Sequence, residues 1–273
     1  MKKVLLIATL FVSLVFAQQK LTTTSSQRVV PKVKPVNLIA IVYSNYSKAG
    51  LEKIGVEYDD YIGYVKEVFD WLKEEQAMNI NYEIIFDSHV ETLSAIKKYK
   101  ILVLPNMRCM SKKQVENVSA YIRAGGKVLT CYTVSFRNEN DEYAMDPRDF
   151  ALGKELGIKY VSWDGTIGKN TYMRRKVEEG HSLWKDLPEF IRLYRYTTMV
   201  VSTYPEATVV AEWYNEDKET PSHEEQNNAA LVVTPNTVYF AEDIFSPENS
   251  HNRRVRKLIK NCIEYLIGEE VKK

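Results

Sequence analysis

Cysteine and histidine are scarce in this sequence, and their scarcity excludes two classes of protein. The chain has three cysteines and four histidines in 273 residues, and Cys109, Cys131 and Cys262 form no C-x-x-C pair. Disulfide scaffolds and zinc sites need ligands at short, regular spacings. We therefore expect buried thiols with at most one disulfide bond, no metal site and no cofactor.

An excess of charge of either sign is also missing. The sequence has 37 Lys and Arg against 36 Asp and Glu, which gives a formal charge of +1. Basic residues cluster only near the C-terminus, with apolar residues between them, at Arg253, Arg254, Arg256, Lys257 and Lys260. This spacing is typical of a solvated helix face, so we do not expect a nucleic-acid partner.

A short apolar segment opens the chain, too short to span a membrane comfortably, and no later run is long and apolar enough to cross one. Lys2 and Lys3 precede the apolar residues 4–16, and Ala17 is a small residue before a cleavage point. The arrangement predicts a signal peptide at 1–17, with an uncleaved anchor as the alternative. We expect an exported protein, periplasmic or extracellular, without a further span.

The remaining chain divides into a short polar segment and one predicted domain. Residues 18–36 are rich in Ser and Thr and contain prolines, which indicates a flexible lead-in. Residues 37–270 are long enough for a single α/β domain with a sizeable core. Apolar runs predict strands at 38–43, 81–87, 101–104 and 127–132. Helices are predicted between them at 58–76 and 91–98 and from Ser111 to Gly125.

Beyond residue 157 the pattern changes to short strands followed by one helix. Strands are predicted at 158–163, 171–177, 192–202, 208–213, 229–233 and 237–240, and an amphipathic helix at 252–267. The polar segments 44–55 and 215–228 predict loops. The whole pattern is typical of a doubly wound parallel sheet with extra short strands in the C-terminal half.

A set of motifs in the middle of the chain carries a family resemblance. The motif positions are Leu104-Pro105-Asn106, Cys109, Ser111, Gly125-Gly126, Ser135, Asp149-Phe150-Ala151-Leu152 and Leu156-Gly157. Together they resemble the class I glutamine-amidotransferase-like fold and, more narrowly, the trimerisation domain of family 42 β-galactosidases. The resemblance implies a flavodoxin-like sheet. It also implies an accessory domain without an active site of its own.

Cys131 is the one candidate for an amidotransferase-type nucleophile. It lies near the turn after the strand at 127–132, but no glycine adjoins it, as a strained nucleophile turn would need. The nearest late candidates, His223-Glu224 and Glu242-Asp243, lack the His-x-Glu spacing of active amidotransferases. The pattern therefore favours a buried thiol and a protein that is not an enzyme.

Two further hypotheses concern the segment after the strand predicted at 127–132. Loops at the carboxyl ends of parallel strands hold the sites of α/β folds, and the loop here is acidic, at Glu139, Asp141, Glu142, Asp146 and Asp149. Paired carboxylates there would suit a glycosidase, although solvated surface groups are the plainer interpretation. Our predicted ligand-binding residues are Tyr132, Ser135, Phe136 and Arg137, because they follow the central strand.

The sequence thus supports an exported, non-catalytic domain that either binds a ligand, such as a carbohydrate or other small molecule, or assembles. Assembly would be with copies of itself or with a carbohydrate-active partner. The alternative is a divergent hydrolase of amide or glycosidic bonds, which would need Cys131 or the acidic loop to be exposed beside a partner group.

Overall fold

A mixed nine-stranded sheet forms the centre of the molecule. The computed structural model describes residues 36–165, 171–194 and 198–268. The predicted signal peptide and all but the last residue of the predicted lead-in lie outside these residues. The strands are β1 (Asn37–Tyr43), β2 (Ile80–Phe86), β3 (Ile101–Leu104), β4 (Lys127–Cys131), β5 (Ile158–Asp164), β6 (Thr171–Arg175), β7 (Phe190–Leu193), β8 (Thr198–Thr203), β9 (Thr208–Tyr214), β10 (Ala229–Val233) and β11 (Thr237–Phe240).

The strand order is β2-β1-β3-β4-β11-β10-β9-β6-β7, and β5 pairs with β8 in a separate two-stranded sheet. All pairings from β2 to β11 are parallel. Those from β11 to β7 are antiparallel. The parallel part has the 2-1-3-4-5 order of flavodoxin-like sheets. The predicted fold class and the extra C-terminal strands are therefore confirmed.

Helices cover the parallel strands, and each helix buries one of its own faces. They are α1 (Asn45–Glu52), α2 (Tyr58–Glu74), α3 (Asp87–Val90), α4 (Leu93–Ile96), α5 (Lys112–Arg123), α6 (Gly153–Leu156), α7 (Pro247–Ser250) and α8 (Arg253–Ile267). Single 3₁₀ turns lie at Ser182–Trp184 and Glu225–Asn227. The capping box predicted for α5 is present, because Ser111 Oγ accepts from the Gln114 amide and Gln114 Oε1 accepts from the Ser111 amide.

Two sequence-based assignments were wrong. The segment 44–55 is not a loop, because Ser44 caps α1 by accepting from the Ser47 amide at 3.1 Å. The segment 192–202 is not one strand. It contributes to β7 in the large sheet and to β8 in the small one, with 195–197 outside the described residues. Local residue pattern carries no information about which sheet a strand joins.

Candidate functional site at the carboxyl edge of the parallel strands

The carboxyl ends of β3, β4 and β11 lie side by side, because β11 pairs in parallel with β4. Buried polar side chains follow these strands: Asn106 after β3, Thr133 after β4 and Asp243 after β11. Tyr61 reaches them from α2. We call these residues, with Cys131, the Asp243 cluster. This edge is where doubly wound folds place their sites.

Asp243 is the acceptor at the centre of the cluster. Its Oδ1 accepts from the Tyr61 hydroxyl at 2.9 Å and from the Phe245 amide at 3.1 Å. Its Oδ2 accepts from Asn106 Nδ2 at 3.2 Å. Burial raises the pKa of the Asp243 carboxyl to about 6, although these hydrogen bonds oppose the shift. The carboxyl therefore keeps its proton to a higher pH than an exposed aspartate does.

Cys131 lies inside this cluster and is fully buried. Its Sγ is 3.7 Å from Asp243 Oδ1. Burial and, after it, the nearby Asp243 charge raise the pKa of the thiol well above its ordinary value. A nucleophilic cysteine needs the opposite, a thiolate favoured by a cation or a histidine. The arrangement suits a packed thiol that donates to a carboxylate. The sequence led us to expect the buried thiol but not its acceptor.

Tyr132, rather than Cys131, occupies the strained turn after β4. Its φ is 56°, a left-handed conformation that is rare for an aromatic residue. The backbone is held on both sides: its amide donates to the Phe240 carbonyl at 2.7 Å and its carbonyl accepts from the Tyr239 hydroxyl at 2.9 Å. The Tyr132 ring meets Trp163 of β5 edge to face, with centroids 5.8 Å apart.

The other predicted ligand-binding residues divide into buried and accessible ones. Ser135 is buried, and its hydroxyl accepts from the Leu152 amide at 3.0 Å. Phe136 is buried against Tyr160 and Phe150, with centroids 4.8 and 5.4 Å away. Arg137 is half-buried, as is Tyr132. Ser135 and Phe136 thus anchor the following loop, while Tyr132 and Arg137 can reach solvent.

The acidic loop is held by its own carboxylates. Asp141 forms ion pairs with Arg108 at 3.2 Å and Lys53 at 3.8 Å. Asp149 Oδ1 accepts from the backbone amides of Phe150 and Tyr160, both at 2.8 Å. These contacts occupy two of the five carboxylates proposed for glycosidic chemistry. Sequence reasoning missed the cations around Asp141, because Lys53 and Arg108 are distant in the chain.

The described residues contain neither a group of metal ligands nor a disulfide bond. Within 36–165, 171–194 and 198–268, no three His, Cys, Asp or Glu side chains are arranged to hold a metal ion. Cys109, Cys131 and Cys262 are all buried and unpaired. No helix in the described part of the chain combines the length and apolarity that a membrane crossing requires.

Comparison with known proteins assigns the family. The family model described as the β-galactosidase trimerisation domain matches residues 37–222. The match covers most of the chain, including β1–β4 and the acidic loop. The protein therefore belongs to the β-galactosidase trimerisation domain family. A comparison with curated protein sequences finds no match.

Solved structures share the fold at low sequence identity. A β-galactosidase from Rahnella sp. R3 has a TM-score of 0.62 and 18% identity over 85% of this chain. A β-galactosidase from Bacillus circulans has a TM-score of 0.62 and 19% identity over the same share. The match covers 31% and 30% of those two chains. A ThuA-like protein from Bacteroides uniformis has a TM-score of 0.60 and 13% identity, covering 88% of this chain and 95% of its own.

Proposed function

We propose that the protein is an exported, non-catalytic domain that works by assembling with further copies of itself. Membership of the trimerisation-domain family carries the proposal. The Asp243 cluster supports the non-catalytic part, because Cys131 is buried with a raised thiol pKa. Export rests on the charged and apolar segment at 1–17.

A divergent hydrolase has less support. A carboxylate does lie within 3.7 Å of the Cys131 thiol, as one version of that hypothesis requires. Burial and, after it, Asp243 nevertheless raise the pKa of the thiol instead of lowering it. In the acidic loop, Asp141 forms ion pairs and Asp149 accepts hydrogen bonds from backbone amides.

Strand β5 offers the surface for assembly. Val161 and Trp163 are 43% and 41% exposed there, although both are large and apolar. The strand belongs to the small sheet, outside the nine strands of the large one. Adjacent exposed apolar side chains of this kind mark contact surfaces. Since the family is described by trimerisation, we assign a second copy of the chain as the occupant.

Substitutions on β5 test this assignment. We expect Val161→Lys and Trp163→Ser to shift the oligomer to smaller species in sedimentation-velocity experiments, because each removes apolar surface from the contact. Ile54→Lys is the matched control, since Ile54 is 62% exposed but lies after α1. The assignment is wrong if the β5 variants and the control sediment like the unsubstituted oligomer.

Carbohydrate binding is a second candidate function, favoured by the Tyr132–Trp163 pair. The edge-to-face contact leaves part of the indole exposed at the carboxyl edge of β4. Apolar sugar faces stack on such rings. Titration with galactose oligosaccharides should change tryptophan fluorescence, and Trp163→Ser should abolish the change while Trp71→Phe retains it. Assembly alone would leave the fluorescence insensitive to sugar.

A further inference from the structure

The large apolar side chains that stay exposed are concentrated in one region of the molecule. Among the described residues, eight large apolar side chains are at least 39% exposed. Four of them lie in the acidic loop or on β5, namely Tyr143, Met145, Val161 and Trp163. The other four lie singly, on or next to β1, α1, β2 and β7. Single exposed apolar residues are normal on a protein surface, whereas a group of them marks a contact surface.

The loop part of this group, Tyr143 and Met145, borders β5, and we call these two residues the loop tip. The Tyr143 ring meets the buried ring of Phe136 edge to face, with centroids 5.6 Å apart. Tyr160 of β5 packs on the same Phe136 ring, with centroids 4.8 Å apart. Since Val161 follows Tyr160 directly in β5, the apolar surface of that strand continues into the loop tip.

Contacts within the loop fix the position of Tyr143. The guanidinium groups of Arg137 and Arg148 lie over its ring, with their Cζ atoms 3.8 and 4.0 Å from the ring centroid. Tyr143 and Arg137 also form an antiparallel bridge, and the Ala144 amide donates to the Phe136 carbonyl at 3.1 Å. A surface that is already ordered loses little conformational entropy when it binds a partner. The loop tip is therefore preorganised for contact.

A closed ring of three copies needs two different contact surfaces on each chain. A contact between identical surfaces joins two copies and then stops, whereas a ring of three is closed by heterologous contacts. The surface of β5 alone therefore cannot complete the assembly proposed above. Each copy fills one third of the turn about the three-fold axis, so its two contact surfaces adjoin each other there. The loop tip is an apolar surface that adjoins β5.

We propose that the loop tip of one copy binds β5 of the next copy in the ring. Met145 packs against Val161 and Trp163 of that next copy. Trp163 is the anchor, because its ring is held edge to face by Tyr132 at 5.8 Å and is still 41% exposed. The inference rests on the proposed assembly, and it adds the second contact surface and the direction of the contact.

Disulfide crosslinking between two cysteine variants of the full chain tests the pairing. Met145→Cys and Val161→Cys chains that carry different affinity tags are co-expressed, purified through both tags and oxidised. We expect covalent dimers with one chain of each kind, formed several-fold faster than either variant forms dimers alone. The three native thiols do not interfere, because all are buried. In the control, Lys113→Cys, at an exposed position on α5, replaces Met145→Cys and should give no such dimers.

A charge at the loop tip tests the same contact without a new thiol. Met145→Lys should shift the assembly to smaller species in sedimentation velocity, because the contact with Val161 and Trp163 would bury the charge among apolar groups. Glu139→Gln, at an exposed position in the same loop, is the control and should sediment as the unsubstituted chain does. Met145 is itself 46% exposed, so the substitution leaves the core of the chain intact.

The outcomes separate this pairing from the proposed assembly. The pairing is refuted if the unsubstituted chain is a trimer but the mixed cysteine variants crosslink no faster than each variant alone. It is also refuted if Met145→Lys leaves that trimer intact. A monomer of the unsubstituted chain in light scattering would refute the proposed assembly, and this pairing with it.

Discussion

Asp243 gives the buried cluster a response to pH. Four donors converge on its carboxylate, from α2, from the turn after β3, from the end of β4 and from its own loop. Burial nevertheless outweighs these hydrogen bonds and raises the pKa from 3.8 to about 6. The native state therefore holds this proton more tightly than the unfolded chain does. Protonation of Asp243 accordingly favours the folded protein.

We predict that Asp243→Asn removes a pH-dependent part of the stability. Because the native pKa is raised, the Asp243 contribution is complete below about pH 4 and is lost as pH rises through about 6. The loss is on the order of 3 kcal/mol by linkage from that shift. Urea unfolding between pH 4 and 8 measures it. Asp60→Asn, at an exposed position on α2, is the control, and equal slopes for wild type and Asp243→Asn would contradict the prediction.

The three thiols give a second test at the residue scale. All are buried, and burial raises the pKa of each, that of Cys109 to about 12. We expect no rapid reaction with Ellman's reagent at pH 8 in the native state and full reaction in denaturant. Ser88→Cys, at an exposed position, should add one fast thiol. A fast native thiol that Cys131→Ala abolishes would revive the nucleophile hypothesis.

At the scale of elements, the junction between α5 and β4 depends on a missing side chain. A Cβ on Gly126 would lie 2.4 Å from the ring of Tyr121, whose hydroxyl donates to the Tyr99 carbonyl at 3.0 Å. The ring is therefore held where it is and cannot easily move aside. The second glycine of the Gly125-Gly126 motif is thus explained by the close approach of the Tyr121 ring to the backbone at position 126.

We predict that Gly126→Ala destabilises the protein by about 1–3 kcal/mol through this overlap. Gly63→Ala is the matched control, because Gly63 lies within α2 with nothing within 4 Å of the added Cβ. That change should stabilise by about 0.5–1 kcal/mol through helix propensity. Chemical denaturation measures both. Equal effects of the two substitutions would show that the Tyr121 contact does not determine the loss of stability in Gly126→Ala.

Sequence pattern predicted elements well where apolar runs are bounded by turn formers. The bounds of β3, β10 and β11 agree with the predicted ranges, and β4 ends one residue earlier. Helix α1 was missed because its buried positions include Ser47 and Gly50, which carry no apolar periodicity. The contact between Cys131 and Asp243 was also out of reach, since it joins positions 112 residues apart.

The candidate site, too, was predicted from the sequence only in part. The sequence indicated the segment after β4, and Tyr132 and Arg137 are accessible there. It did not indicate that Tyr132 would take the left-handed turn, because bulky residues seldom do so. Nor did it indicate the stacking of Arg137 and Arg148 on Tyr143, which depends on the path of the loop.

At the scale of the whole molecule, family and fold favour assembly over chemistry. The trimerisation-domain match spans β1 to β9, and the parallel strand β11 and its neighbour β10 lie beyond it. The carboxyl edge of those strands is closed by buried side chains at Asn106, Cys131 and Thr133. Exposed apolar side chains lie on β5, in the small sheet, where Trp163 meets Tyr132 of the turn after β4. The proposed contact surface therefore borders the closed carboxyl edge.

Light scattering of residues 18–273 coupled to gel filtration, over a hundredfold range of protein concentration, tests this account most directly. We predict a single species with three times the mass of the chain that persists on dilution, as a stable interface requires. A monomer at every concentration would contradict the central claim, and the role of β5 as a self-association surface would fall with it.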